Sequence, residues 1–385
     1  MQSVLKIALA GTLSVSASWV SAQDGLADEA VTLNQIDPAQ MHVEQSLRQD
    51  EAHRPYRVPQ QREDGVVVAD LYERLSDADG IATLRQQIGA GKYGNIDSLL
   101  ISHQGQLLVE DYWGDGAQDT AHFQFSITKN LMSLAIGKAI ELGLIASVEE
   151  RVLVYFPELA SVDLAPGADR IRIVDLLTMR SGLNFDAAKL DAQGLDLDNH
   201  VARYLSQSGP IVPGRQFQYQ GADTDILNHI LHRISGQTLA QFVDEHYFGP
   251  MGISNVFWEA SACGLVKASS GLHLTSRDMV KLGSMILADG EYQGEALVNA
   301  QWVRESTSPK TPNGKYGYYW WTENFWVDGV EVETISGRGA RGQFIYMMPE
   351  LKLVVVVTSS NSGKARRAPF DFTPQYILPG FMGSR

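Results

Sequence analysis

The strand-forming runs of this chain lie toward its two ends, and a long helical stretch separates them. Ile96 to Ser102 and Gln106 to Tyr112 are β-rich and flank His103, Gln104 and Gly105, a hairpin signal. Strand character returns late, at Val330 to Ile335, Gln343 to Met348 and Leu351 to Thr358, the last two divided by the turn pair Pro349 and Glu350. Between them, Leu131, Leu134, Ala135, Lys138 and Leu142 recur at helical spacing from Ser126 onward, with Gly143 placed to stop the helix. Further helical stretches are Ile173 to Met179, Asp225 to Ile234, Thr238 to Phe248 and Ser276 to Leu287. Such a chain closes one antiparallel sheet with strands from both sides. The expectation is an α+β fold, an α/β sandwich with helices flanking the sheet, plus a mainly helical second domain. The α/β part spans about 66–140 and 265–385, and the helical part about 141–264.

The first 22 residues hold one basic residue, Lys6, an apolar run from Ile7 to Val20, and Val20, Ser21, Ala22 ahead of polar Gln23. This reads as a signal peptide cut after Ala22, for a periplasmic or secreted protein. The run is shorter than a membrane span of about 20 residues, and no later segment is long and apolar enough, so the mature chain is expected to be soluble. Residues 23–65 are polar and aperiodic, an extended lead-in to the folded domain at 66–385. One cysteine, Cys263, excludes an internal disulfide. A net charge of −14, with acidic residues spread along the chain, argues against a nucleic-acid partner.

Three elements carry chemistry. Ser126 and Lys129 stand three apart at a helix start, which puts a hydroxyl and an amine on one face. First-turn N–H groups there can hold an oxyanion, and a partly buried lysine can serve as a base; helix capping by Ser126 is the competing role. Pro213 to Tyr219 is a turn that delivers the Tyr219 phenol just ahead of a helix, either for proton transfer or as a core tyrosine. Ser336 to Gln343 contains Gly337, Gly339 and Gly342 in a G-x-G-x-x-G spacing, but the following residues continue as strand, which argues against a nucleotide site. A glycine-rich edge strand instead lets substrate approach the backbone. His229 and His232, three apart on a helix, lack a sequence-placed third ligand and read as structural. The acidic loop with Asp186, Asp191, Asp196 and Asp198 reads as solvated charge. Tyr318, Tyr319, Trp320 and Trp321, as a strand, would alternate between pocket and core.

In this order the three elements resemble the penicillin-recognising serine hydrolases: class C β-lactamases, D-alanyl-D-alanine carboxypeptidases, β-lactamase-like esterases and 6-aminohexanoate-dimer hydrolases. Val174 to Leu183 is similar to that group's "DLLTHTSGL" segment, Ala268 to Leu282 to its "ASSGL…ARDLAKFG" segment, and Gly342 to Leu353 to its "GGQYIYVDPELDL" ending. The resemblance implies that Ser126 is the acylated nucleophile, Lys129 its base and Tyr219 the relay to the leaving group. It implies an oxyanion hole from the N–H groups of Ser126 and Ala340, substrate contacts at Gly339, Arg338 and Trp321, and no metal or organic cofactor. The substrate is then a small ester or amide; the sequence leaves the oligomeric state open.

Two departures bear on substrate. The Y-x-N motif of β-lactamases and peptidases reads Tyr219, Gln220, Gly221, and the K-T-G or H-T-G strand reads Gly337, Arg338, Gly339, without its leading cation. Tyr219 to Leu227 is closer to the "Y-x-S-x-DT-x-VL" run of the 6-aminohexanoate-dimer hydrolases. The expectation is an esterase or amidase with weak or no β-lactamase activity. A D-Ala-D-Ala carboxypeptidase or β-lactamase is the alternative enzyme, with Arg338 or Arg341 standing in for the cation, and a catalytically silent ligand-binding relative is the alternative class.

Overall fold

The computed structural model describes residues 58–185, 199–261 and 263–383. The signal segment, most of the lead-in and the acidic loop at 186–198 lie outside them. A six-stranded sheet is built from β1 (Val67–Val68), β2 (Ile96–His103), β3 (Gln106–Tyr112), β4 (Ile335–Gly339), β5 (Gln343–Met348) and β6 (Leu353–Ser359), in the spatial order β1-β3-β2-β6-β5-β4. The central pairings are antiparallel and join the two ends of the chain through β2 and β6. The β2–β3 turn works because Gln104 (φ 51°) and Gly105 (φ 78°) both adopt the left-handed region that a two-residue hairpin requires.

Two expectations change. The sheet is not wholly antiparallel, because β1 pairs parallel to β3 at one edge. The first C-terminal strand is Ile335–Gly339, whereas Val330–Val332 folds back on Phe325–Val327 as a separate hairpin.

Side chains alternate across the sheet. Leu99, Ile101, Phe344, Tyr346, Val355 and Val357 face one core, covered by α1 (Asp79–Gly89) and the C-terminal helical segments. Leu100, Ile345, Met347, Val354 and Val356 face the other, which includes α2 (Thr128–Glu141), α3 (His200–Ser206), α4 (Gly221–Ser235) and α5 (Ser276–Leu287). Every residue of α2 from Thr128 to Ala139 is buried, so this is a central helix rather than a surface one. The end of the lead-in is fastened to the body through Arg277 on α5, whose guanidinium donates to Asp64 at 2.5 Å, the Gln60 carbonyl at 2.6 Å and Glu110 at 2.7 Å.

Candidate active site

Ser126 does not cap α2. It sits in a 3-10 turn, Phe125–Ile127, that runs directly into the helix, and Phe125 before it takes φ 47°. A non-glycine residue in that region is strained and persists only when its surroundings hold it. They do so here through Gln124, whose N–H donates to the Leu272 carbonyl at 2.8 Å and whose amide donates to the His122 and Leu274 carbonyls. Thr128 completes the brace: its hydroxyl donates to the Phe125 carbonyl at 2.6 Å and accepts from the Leu272 N–H at 3.1 Å.

Lys129 lies one turn on and is 1 % exposed. Its Nζ is 3.2 Å from Ser126 Oγ and donates to the Ser269 carbonyl at 2.7 Å. The same Nζ stands over the Tyr219 ring, 4.9 Å from its centroid. Tyr219, half-buried, is held from both sides. Gln218 N–H donates to the Met179 carbonyl at 2.8 Å, and the ring stacks on Trp321 at 5.8 Å. Gln220 beside it donates to Ser181 Oγ and to Asp223 Oδ1. Asp223 is wholly buried, and burial pushes its carboxyl up to about 8 against the hydrogen bonds from Ser181 and Gln220 that favour the charged form.

The edge strand β4 packs against the Phe125–Ile127 turn because it lacks side chains on that face. A Cβ on Gly339 would fall 2.3 Å from the Gln124 carbonyl oxygen, and one on Gly337 would fall 2.7 Å from Asn130 Oδ1. Ala340 follows, buried, in a turn where Arg341 (φ 60°) and Gly342 (φ 94°) reverse the chain. Gln343 braces that turn, its amide donating to the Ala340 carbonyl at 3.3 Å and the Ser359 carbonyl at 2.6 Å.

Arg338 is placed differently from the expectation. Its side chain is 5 % exposed and faces the opposite core, since alternation along β4 sends it away when Gly337 and Gly339 face α2. It donates to Ser336 Oγ at 2.8 Å and to Glu323 at 3.2 Å, and lies over the Phe370 and Trp321 rings. It therefore packs against Trp321, which in turn touches Tyr219. Tyr318, Tyr319, Trp320 and Trp321 do not form an alternating strand: Tyr319 takes φ 65° and all four are buried, with Trp321 touching Tyr219. Ser269, Asn130 and Gln343 also shape the site. Ser269 and Gln343 fall in stretches that carried the resemblance, yet nothing local in the sequence marks their roles.

Comparison with known proteins places the chain in a family. Residues 76–375 match the family model described as Beta-lactamase. The 6-aminohexanoate-dimer hydrolase of Paenarthrobacter ureafaciens is 24% identical over 295 residues, covering 69% of this chain and 72% of that protein. The esterase EstB of Burkholderia gladioli is 29% identical over 166 residues, 39% of this chain and 40% of its own. A penicillin-binding protein homologue from Caulobacter crescentus shares the fold with a TM-score of 0.62 at 16% identity, covering 79% of this chain and 97% of the homologue.

Proposed function

This chain belongs to the Beta-lactamase family, whose members are hydrolases, and from that membership we propose that it cleaves a small ester or amide through an acyl-enzyme on Ser126. Lys129, as the free amine, takes the Ser126 proton while its own N–H stays aimed at the Ser269 carbonyl. Oγ attacks the substrate carbonyl carbon, and the N–H groups of Ser126 and Ala340 hold the oxyanion that forms. Tyr219 passes a proton to the leaving alkoxide or amine, the carbonyl re-forms, and water then clears the acyl group. Trp321, packed on Tyr219, supplies an apolar wall. The segment ending at Ala22 fits export, so the reaction belongs outside the cytoplasm.

The observation that carries this reading is Lys129 Nζ, buried and 3.2 Å from Ser126 Oγ, with the Tyr219 ring against it. The test is a panel of p-nitrophenyl acetate and butyrate, a 6-aminohexanoate dimer, nitrocefin and a D-Ala-D-Ala peptide. Turnover of an ester or the dimer, abolished in Ser126→Ala, together with a fluorophosphonate mass gain on Ser126, is expected. No turnover and no labelling would refute the reading.

A further inference from the structure

Away from the catalytic cleft, three residues far apart in sequence converge: His200 at the start of α3, His229 in α4 and Cys263 in a turn after the Phe257–Trp258 strand. His229 Nε2 is 3.2 Å from His200 Nδ1 and 3.9 Å from Cys263 Sγ, and the three candidate ligand atoms all lie within 4.8 Å of one another. A tetrahedral cation with bonds of about 2.0–2.1 Å to nitrogen and about 2.3 Å to sulfur sets its ligand atoms roughly 3.3–3.6 Å apart. We propose that His200, His229 and Cys263 form a binding site for a borderline-soft divalent cation of the zinc type, with solvent in the fourth position.

The groups around the cluster orient it for that task. Tyr204 OH donates to Asp225 Oδ2 at 2.9 Å, which leaves the phenol oxygen to accept from the Nε2–H of His200 at 3.0 Å. His200 Nδ1 then carries the lone pair and faces inward. An imidazole oriented by a hydroxyl and a carboxylate in this way is the usual support of a metal-bound histidine. His229 Nε2 lies within hydrogen-bond distance of that lone pair, and with His229 in its Nδ1–H tautomer a cation would take both ring nitrogens in place of that hydrogen bond. Binding releases one proton: Cys–SH gives its hydrogen to solvent as Sγ takes the metal, and both imidazoles donate their lone pairs unchanged.

The site ties α3 and α4 to the loop between Trp258 and Leu272. That loop carries Ser269, whose carbonyl accepts from Lys129 Nζ, and α4 begins two residues after Tyr219. The cation therefore fastens the scaffold of the catalytic cleft without touching substrate.

The test is titration of the full chain, stripped with a chelator and desalted, with Zn2+ and with Co2+ as a spectroscopic substitute. One equivalent of Zn2+ should remain bound through desalting and raise Tm. Co2+ should give the d–d bands of a tetrahedral site and a thiolate-to-metal charge-transfer band. Cys263→Ala, a small substitution outside the helices, should fold and lose both the equivalent and the charge-transfer band, while Tyr204→Phe should weaken binding about 10- to 100-fold. Ser126→Ala and His232→Gln should bind as the native chain does, which separates this outcome from the fate of the hydrolase reading. Failure to retain one equivalent, a Co2+ spectrum without thiolate character, or undiminished binding by Cys263→Ala would each overturn the proposal.

Discussion

Asn130 stands where a side chain at position 337 would have to go: its Oδ1 is 2.7 Å from the point a Cβ on Gly337 would reach, and its Nδ2 is tied to the Tyr319 carbonyl at 2.8 Å. The cation that a K-T-G or H-T-G strand would carry therefore has neither a residue nor a space at position 337. A hydrogen bond to a charged group contributes about 1.5–3 kcal/mol, or roughly 10- to 150-fold in affinity. Nitrocefin kcat/KM should fall below that of a neutral ester by at least that order. Gly337→Lys should lose stability through overpacking, by about 1–3 kcal/mol, without gaining penicillin turnover. Faster nitrocefin than ester hydrolysis by the native chain would reverse the substrate ranking.

Lys129 tests the base. Lys129→Met keeps the length of a side chain that is 1 % exposed and removes only the amine. General-base loss should lower kcat by roughly 10²- to 10⁴-fold with KM little changed. Tm should hold or rise, because exchanging a buried ionisable group for an apolar one of similar volume is often neutral or stabilising. Full activity in this variant would place the base elsewhere.

The sheet was readable because its evidence is local. Turn residues such as Gln104–Gly105 and Pro349–Glu350 mark hairpins whatever else the chain does, and β-branched runs flank them. The Ser126–Lys129 spacing was readable for the same reason, but the left-handed Phe125 ahead of it was not. That conformation is imposed by Leu272 and Leu274, far along the chain, acting on Gln124. Arg338 is an instructive case. Once Gly337 and Gly339 are placed against α2, alternation alone sends Arg338 to the other face, so its orientation was deducible from the glycines. The convergence of His200, His229 and Cys263 has no local signature, since their spacing belongs to the tertiary fold.

Arg338 yields a prediction from that orientation. Its guanidinium lies 5.0 Å from the Trp321 ring centroid and Trp321 stacks on Tyr219, so its effect on catalysis passes through an aromatic wall. Arg338→Met should lower Tm and reduce activity toward anionic and neutral acyl substrates in parallel. A selective loss on anionic substrates would show that the side chain contacts them.

In the proposed mechanism Gly339 sets the distance between the two halves of the oxyanion site. A methyl group there would overlap the Gln124 carbonyl oxygen, which is backbone and braced, so β4 must retreat. Gly339→Ala should separate the Ala340 and Ser126 N–H groups and cost about 10²- to 10³-fold in kcat, the usual loss of one oxyanion donor. The fluorophosphonate adduct should still form, only more slowly. A variant with native kcat would exclude Ala340 from the oxyanion site.

Asp223 gives the pH dependence. Its carboxyl is wholly buried and titrates near 8 in the folded chain against an ordinary value of 3.8, because burial outweighs the Ser181 and Gln220 hydrogen bonds. The folded chain thus keeps a proton that the unfolded chain releases, and linkage makes stability decline as pH rises from about 4 to about 8. The contribution is complete below the lower value and is lost above the upper one. Asp223→Asn cannot ionise, but its added N–H₂ meets no acceptor where Asp223 Oδ2 has no hydrogen-bond partner. That costs about 1–3 kcal/mol at every pH. The variant should therefore be the less stable protein at pH 4, and the gap in Tm should close and then reverse as pH rises toward 8, because roughly 1.4 kcal/mol per pH unit is lost by the native chain alone. Parallel Tm curves across that range would show that Asp223 is already ionised in the folded chain.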